Sequence, residues 1–427
     1  MSPTRDREEQ DGSVERLRRD VNDVISQHPV LAELLPTSDQ WHLYSLSSGY
    51  PYNTEQLKSA LTDHVLRAVE ESGAAAASRR CEAFLRGAAE TCLPGFDITL
   101  FAGLDLSERW DIALGQYLVP YQTAQRQFAR PRARFPQLSF IGFDTDVLKN
   151  TTALVTELRW GPAITDANRK LTDPDPMNIE LANDRAPLLA VALLSVVLGR
   201  SLPVVATTFK SAPWIDDFLD REGGGGTNYD PKGRTGSVDR SAVSVEEQAA
   251  AERAIRDWDS FAKPERETLA LAIARLSTSL SRRGSWEISN LAVDDRVLDV
   301  SIALEILYSL DSLEITHKLS TRVGWYLGRN PNDRLRIRKL VAEFYGLRSD
   351  VIHGGRGRKM GRKRMSPDPK RELQREAYDI ARATVLEHLK RGCMPDDRQW
   401  NEIVMDCAPR AKASIERQPG LREEGTA

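Results

Sequence analysis

The chain has 427 residues, more than a usual single domain, so two domains with separate cores are expected. Its 59 basic and 62 acidic residues nearly cancel and the pI is near 6.2, which excludes a globally basic nucleic-acid binder; any such surface must be local. Four cysteines (Cys81, Cys92, Cys393, Cys407) form neither a CxxC pair nor a zinc spacing and are too few for a disulfide scaffold, so a reducing, cytoplasmic setting without metal or cofactor is expected.

The N-terminus, Met1-Ser2-Pro3-Thr4-Arg5-Asp6-Arg7-Glu8, lacks the apolar core of a signal peptide, and its first dozen residues read as disordered. Apolar residues recur at helical spacing over 14–35 (Leu17, Val21, Val24, Ile25), and a second helical stretch covers 54–71. Between 97 and 120 the pattern becomes short apolar pieces broken by Gly103 and Gly115, with Ile98, Leu100 and Ile112, Leu114 alternating as in half-buried strands. Further strands are expected over 138–143, 153–161 and 203–208. The most apolar run, 188–198, falls well short of the roughly 20 residues that span a bilayer, so it reads as a buried helix with Pro187 in its first turn and Asp184 as a cap.

Residues 222–245 hold Gly223 to Gly226 and then Asp230-Pro231-Lys232-Gly233-Arg234-Thr235-Gly236-Ser237, a composition that reads as a linker or long loop. No Gly-Lys-Ser/Thr ends it, which argues against a phosphate-cradling P-loop. Beyond it, helices are expected at about 247–260, 264–282, 290–310, 312–328, 332–349 and 370–391, with Pro264 and Pro331 opening two of them and Asn330 capping the latter. The fold class is therefore α+β: a mixed domain over 1–221, a Gly-rich linker over 222–246, an all-α bundle over 247–410 and a disordered tail over 411–427.

The densest chemical signal is Arg348-Ser349-Asp350-Val351-Ile352-His353-Gly354-Gly355. Histidine moves protons near neutrality, and arginine offers a charged planar fork of donors to phosphate oxygens. Residues five apart on a continuous helix point about 140° away from each other, so the pair converges only if the helix frays or ends there, an ending that the two glycines supply. Spacing alone leaves a plainer reading open, in which both cations simply sit at a helix C-terminus.

The stretch 272–390 resembles the HEPN superfamily, and within it the ApeA-like HEPN domains. The likeness rests on Arg275-Leu276, on Asp299 with Ala303-Leu304-Glu305, on Glu314-Ile315 with Lys318-Leu319-Ser320-Thr321-Arg322, and on Phe344-Tyr345-Gly346-Leu347-Arg348-Ser349-Asp350-Val351-Ile352-His353-Gly354. The last of these looks like the family's Arg-x4-6-His signature. The resemblance implies a helical bundle that pairs with a second copy, two such motifs forming one ribonuclease site, and a toxin-like or antiviral role. A fainter likeness in Asp97-Ile98-Thr99-Leu100 and Gly103-Leu104-Asp105-Leu106 assigns no function to the first half, although a sensing role with a foreign, phage-derived trigger is one possibility. Many family members carry Asn, Asp or His after the arginine; here Ser349 stands there and Asp350 follows, so either is the candidate helper.

Metal-free RNA cleavage needs a base for the 2′-OH proton, a cation for the phosphorane and an acid for the departing 5′-oxygen. His353 and Arg348 suit the first two, and a partner's copy of the histidine suits the third. Arg356, Arg358, Lys359, Arg362, Lys363 and Arg364, interleaved with glycine and free of acids, form a cationic loop that either contacts an RNA backbone or is merely solvated. Arg334, Arg336, Arg338 and Lys339 mostly cover a solvated face. Trp325, Tyr326, Phe344 and Tyr345 read as core rather than base-stacking residues, though helical spacing brings the Tyr345 hydroxyl within reach of the site. The remaining histidines (His28, His42, His64, His317, His388) read as structural. Asp294, Asp295 and Asp299 imply no metal site: Asp295 and Asp299 share one helix face, and such a pair reads as solvated or paired with Arg296 or Arg322. A catalytically silent module that dimerises and binds RNA or protein is the alternative.

Overall fold

A computed structural model of the chain describes residues 16, 18–25, 27, 29, 40–45, 48–89, 93–128, 146–161, 164–166, 178–181, 186–211, 228–229, 240–282, 289–308, 314–353 and 367–405. The architecture is α+β and divides into two compact units, Met1–Leu194 with Arg200–Glu252, and Ser195–Gly199 with Arg253–Ala427.

In the first unit a hairpin of β1 (Gln40–Ser45) and β2 (Ser48–Asn53) leads into α1 (Thr54–Ser72), whose start is fixed by a capping box between Asn53 and Gln56. Helix α2 (Ala74–Ala89) follows after Gly73. The main sheet comprises β3 (Leu93–Phe101), β5 (Trp110–Ala113), β6 (Gln116–Pro120), β7 (Thr152–Gly161), β9 (Asn178–Leu181), β10 (Val204–Ser211) and β11 (Asn228–Tyr229), paired antiparallel in the order β11-β10-β3-β7-β6-β5 with β9 against the far end of β7. Gly115 closes the β5–β6 turn at φ 67°, a conformation that favours glycine.

The short α3 (Tyr121–Phe128) and α4 (Asp146–Lys149) pack beside the sheet, over a core that includes Ile98, Leu100, Tyr117, Val119 and Val155. Strand β3, paired with β10 on one edge and β7 on the other, alternates in burial over its first four residues and is buried on both faces from Asp97 to Phe101. Strand β8 (Ile164–Asp166) joins β1, and α5 (Pro187–Leu198) is the apolar helix the sequence indicated, with Pro187 in its first turn.

Two pieces of the Gly-rich segment are strands instead of linker. Asn228–Tyr229 extends the main sheet, and β12 (Ser241–Ala242) pairs in parallel with β4 (Leu104–Asp105). Arg240 fixes the latter pair through Asp105 at 2.5 Å, and Arg200 adds bonds to the Ala242 carbonyl and to Glu247. A Ser244–Glu247 capping box then opens α6 (Val245–Asp259). The expected strand at 138–143, the cap Asp184 and the tail beyond 410 lie outside the described residues.

The second unit contains α7 (Lys263–Ser281), α8 (Ser289–Leu307), α9 (Ile315–Leu327), α10 (Pro331–Ile352), α11 (Pro367–Arg391) and α12 (Asp397–Val404). Helix α8 packs against α7, α10 and α11, and α9 packs against α10 and α12. Leu269, Ile273 and Leu276 on α7, Val300, Ala303 and Leu304 on α8, Val341 and Phe344 on α10 and Val385 on α11 are all buried. The tight α9–α10 turn depends on Gly328, where an added Cβ would come within 2.8 Å of the Arg334 backbone. Helix α12 was not legible in the sequence; it is eight residues long, and its Asp396–Gln399 box and the fully buried Trp400 hold it in place.

Buried His388 sits among Tyr308, Tyr326 and Trp400. Its Nε2 donates to the Leu307 carbonyl at 3.1 Å, so in the neutral ring Nδ1 accepts from the Tyr326 hydroxyl at 2.8 Å. Burial, opposed by the Leu307 bond, pushes its pKa down from 6.5 to about 4. Between those values the unfolded chain carries a proton that the folded one excludes, so acid destabilises the second unit.

Three outcomes are expected. Stability of the second unit falls by about 3 kcal/mol as pH drops from about 6.5 to about 4, read as a denaturant midpoint by Trp fluorescence. Asp97 in the first unit, raised to about 6 by burial, gives the opposite sign: its contribution is lost as pH rises from about 3.8 to about 6. Separately, Gly328→Ala lowers stability by about 1–3 kcal/mol, because backbone rather than a flexible side chain occupies the space.

Candidate active site

Helix α10 begins at Asn330, whose side chain accepts from the Asp333 N–H at 2.9 Å, with Pro331 in the first turn. Ile337, Val341 and Phe344 form its buried stripe at spacings of four and three, and Arg348 takes the next position. A cation placed there by helical periodicity requires a partner at the core's edge. That partner is Glu305 on α8, 3.2 Å from Arg348 Nη2. The same carboxylate oxygen accepts from the Tyr345 hydroxyl at 2.7 Å. Burial, and then Glu305, push the Tyr345 phenol far above its ordinary value, so it stays a donor. Arg348 Nε is enclosed and has no hydrogen-bond partner, and the guanidinium carbon lies 5.6 Å from the Tyr345 ring centre.

The helix does not fray between Arg348 and His353, contrary to one of the two routes open to convergence. It continues to Ile352, and His353 is the C-cap, its N–H bonded to the Ser349 carbonyl at 3.1 Å. Ser349 and His353 are exposed and Asp350 is half-buried. A cleft of about 710 Å³ opens beside Arg348, lined by residues 314–317 from the start of α9 and by Tyr345, Arg348 and Ser349 from α10. His353 and Asp350 are not among its lining residues. Within one chain, then, Arg348 and Ser349 share a cleft, while His353 lies one helical turn further on.

Two cleft features escaped the sequence. His317, read there as structural, is exposed on the first turn of α9 and faces the cleft. Its neighbour Glu314 adopts a left-handed conformation at φ 55° and ψ 34°, and its side chain makes no capping bond to the helix that follows. The role of Glu305 had a signal available, since it is the sole charged residue between Val300 and Leu307 on a helix otherwise apolar there.

The carboxylates of Asp294, Asp295 and Asp299 are all ion-paired, two of them to arginines other than those expected and one to a lysine. Asp299, 2% exposed, binds Arg282 at 2.5 Å and Arg275 at 3.4 Å, and Asp295 binds Arg282 at 3.1 Å. Asp294 pairs with Lys370. Arg296 instead donates to the Arg282 carbonyl, and Arg322 reaches the Tyr308 carbonyl and Asp397. Among the described residues no cluster of three metal-ligating side chains occurs. Phe344 and Tyr326 are core residues, and Trp325 is half-buried under the Arg334 guanidinium. The cationic stretch bearing Arg356, Arg358, Lys359, Arg362, Lys363 and Arg364, together with Gly354 and Gly355, lies outside the described residues, as do the side chains of His28, His42 and His64.

No described helix is long and apolar enough to cross a membrane. Comparisons with protein-family models, curated proteins and solved structures return no match to this chain.

Replacing Glu305 by alanine is expected to leave the buried Tyr345 hydroxyl and Arg348 without their shared acceptor and to cost about 1–3 kcal/mol of stability, measured by chemical denaturation. Glu305→Gln, which keeps an acceptor oxygen, is expected to lose less.

Proposed function

We propose that the second unit is a HEPN-like, metal-independent endoribonuclease that cleaves RNA through the 2′-OH. The observation that carries this reading is an arginine held by Glu305 at the wall of an open cleft, in the Arg-x4-His sequence that resembles the family signature. Arg348 faces phosphate oxygens and stabilises charge on the phosphorane. His353 removes the 2′-OH proton, the 2′-oxygen forms a bond to phosphorus, and the P–O5′ bond breaks as the 5′-oxygen takes a proton from the histidine of a second copy, leaving a 2′,3′-cyclic phosphate and a 5′-hydroxyl. Ser349 or Asp350 assists beside the arginine. The helical separation of Arg348 and His353 favours a site completed by a second copy, so the working form is a homodimer or higher oligomer. The loop from Arg356 to Arg364 holds the RNA backbone through salt-sensitive phosphate contacts. A cytoplasmic antiviral or toxin-like role, with the first unit sensing a foreign trigger, completes the proposal and rests on resemblance.

The Arg348–Glu305 pair also favours a second reading, because a guanidinium already bonded to carboxylate is partly neutralised. On that reading the domain is a silent module that dimerises and binds RNA or a protein.

Purified protein in excess EDTA is expected to cut mixed cellular RNA, leaving 2′,3′-cyclic or 3′-phosphate ends, and His353→Ala to lose at least about 100-fold in rate. Mapping of the product ends decides it, since 3′-hydroxyl ends would contradict the mechanism.

A further inference from the structure

The cleft beside Arg348 contains a histidine, but it is His317 and not the histidine of the Arg-x4-His motif. We propose that His317, Arg348 and Ser349 form a phosphodiester-binding subsite complete within a single chain, taking one backbone phosphate of a bound RNA. The proposal rests on the nuclease reading for the identity of its ligand, but not for the existence of the subsite.

Three independent features converge on it. Arg348 retains donor capacity after binding Glu305, because that carboxylate lies 3.2 Å from one terminal nitrogen and a guanidinium carries five N–H donors. The enclosed Nε is out of a ligand's reach, so an anion in the cleft meets the terminal N–H groups that Glu305 does not use. Ser349, exposed on the next position of α10, adds a hydroxyl that can donate to the same anion. His317 lines the same cleft from the first turn of the 13-residue α9, where the leading N–H groups have no intrahelical acceptor and Glu314 supplies no side-chain cap.

The charged and titratable groups around His317 are Glu314 and Lys318 on its own chain segment and Arg348 and Tyr345 across the cleft, with Glu305 behind them on α8. Tyr345 is held as a neutral donor to Glu305. A phosphodiester carries a single negative charge throughout the neutral range, matching the cationic fork of Arg348 and the hydrogen-bond donors beside it.

The test uses the full chain and a fluorescein-labelled 2′-O-methyl oligoribonucleotide, which presents phosphodiesters but cannot be cleaved through the 2′-oxygen. Anisotropy titrations at fixed pH and salt are expected to show saturable wild-type binding. His317→Gln, at an exposed position, is expected to bind about tenfold more weakly. Arg348→Lys, which keeps the charge but not the fork, is expected to weaken binding as well. Unchanged affinity in His317→Gln, or no wild-type binding, overturns the subsite. Wild-type binding with the expected His317 dependence, but no cleavage of unmodified RNA, keeps the subsite and defeats the nuclease reading.

Discussion

One carboxylate organises the second unit around its cleft. Glu305 sits on α8 where the helix is otherwise apolar, and it receives both the Tyr345 hydroxyl and the Arg348 guanidinium from α10. Each of the three groups would be costly at the edge of a core by itself, and together they satisfy one another. The result fixes the rotation of α10 about its axis, and thus which residues after Phe344 face inward. Arg348 is held at the cleft wall for the same reason that Val341 is buried: both belong to one helical stripe.

This arrangement separates the motif's two residues. An unbroken helix through Ile352 places His353 at its C-cap, and the cleft recruits His317 from the neighbouring helix instead. A sequence motif records which residues are near in the chain, whereas the cleft records which are near in space. Here the two agree for Arg348 and Ser349 and differ for the histidine.

The bundle was largely legible because helical periodicity, Pro331 and Asn330 are local signals, and each of the six expected helices occurs within a few residues of its expected bounds. Elements whose formation depends on distant partners were not. The β1–β2 hairpin, the two-residue strands β4 and β12, and α12 are too short to show a period of their own and are specified by pairing, capping or a single buried tryptophan. Likewise, the acidic pattern on α8 showed that Asp295 and Asp299 share a face, but only the packing of α7 against α8 selects Arg282 and Arg275 as their partners. His317 escaped because nothing in its sequence neighbourhood distinguishes it; its position follows from how α9 meets α10.

Trp400 has a practical consequence for where this unit can be cut. Its ring lies 4.9 Å from Tyr308 and 5.2 Å from Tyr326, closing the pocket in which His388 is kept neutral. The stretch proposed to be HEPN-like ends at Lys390, ahead of α12, so a fragment trimmed to it would uncover the two tyrosine rings and admit water to the buried imidazole. The physical end of the domain is therefore set by the helix carrying Trp400, and an isolated bundle intended to behave as the full chain does must extend through Val404.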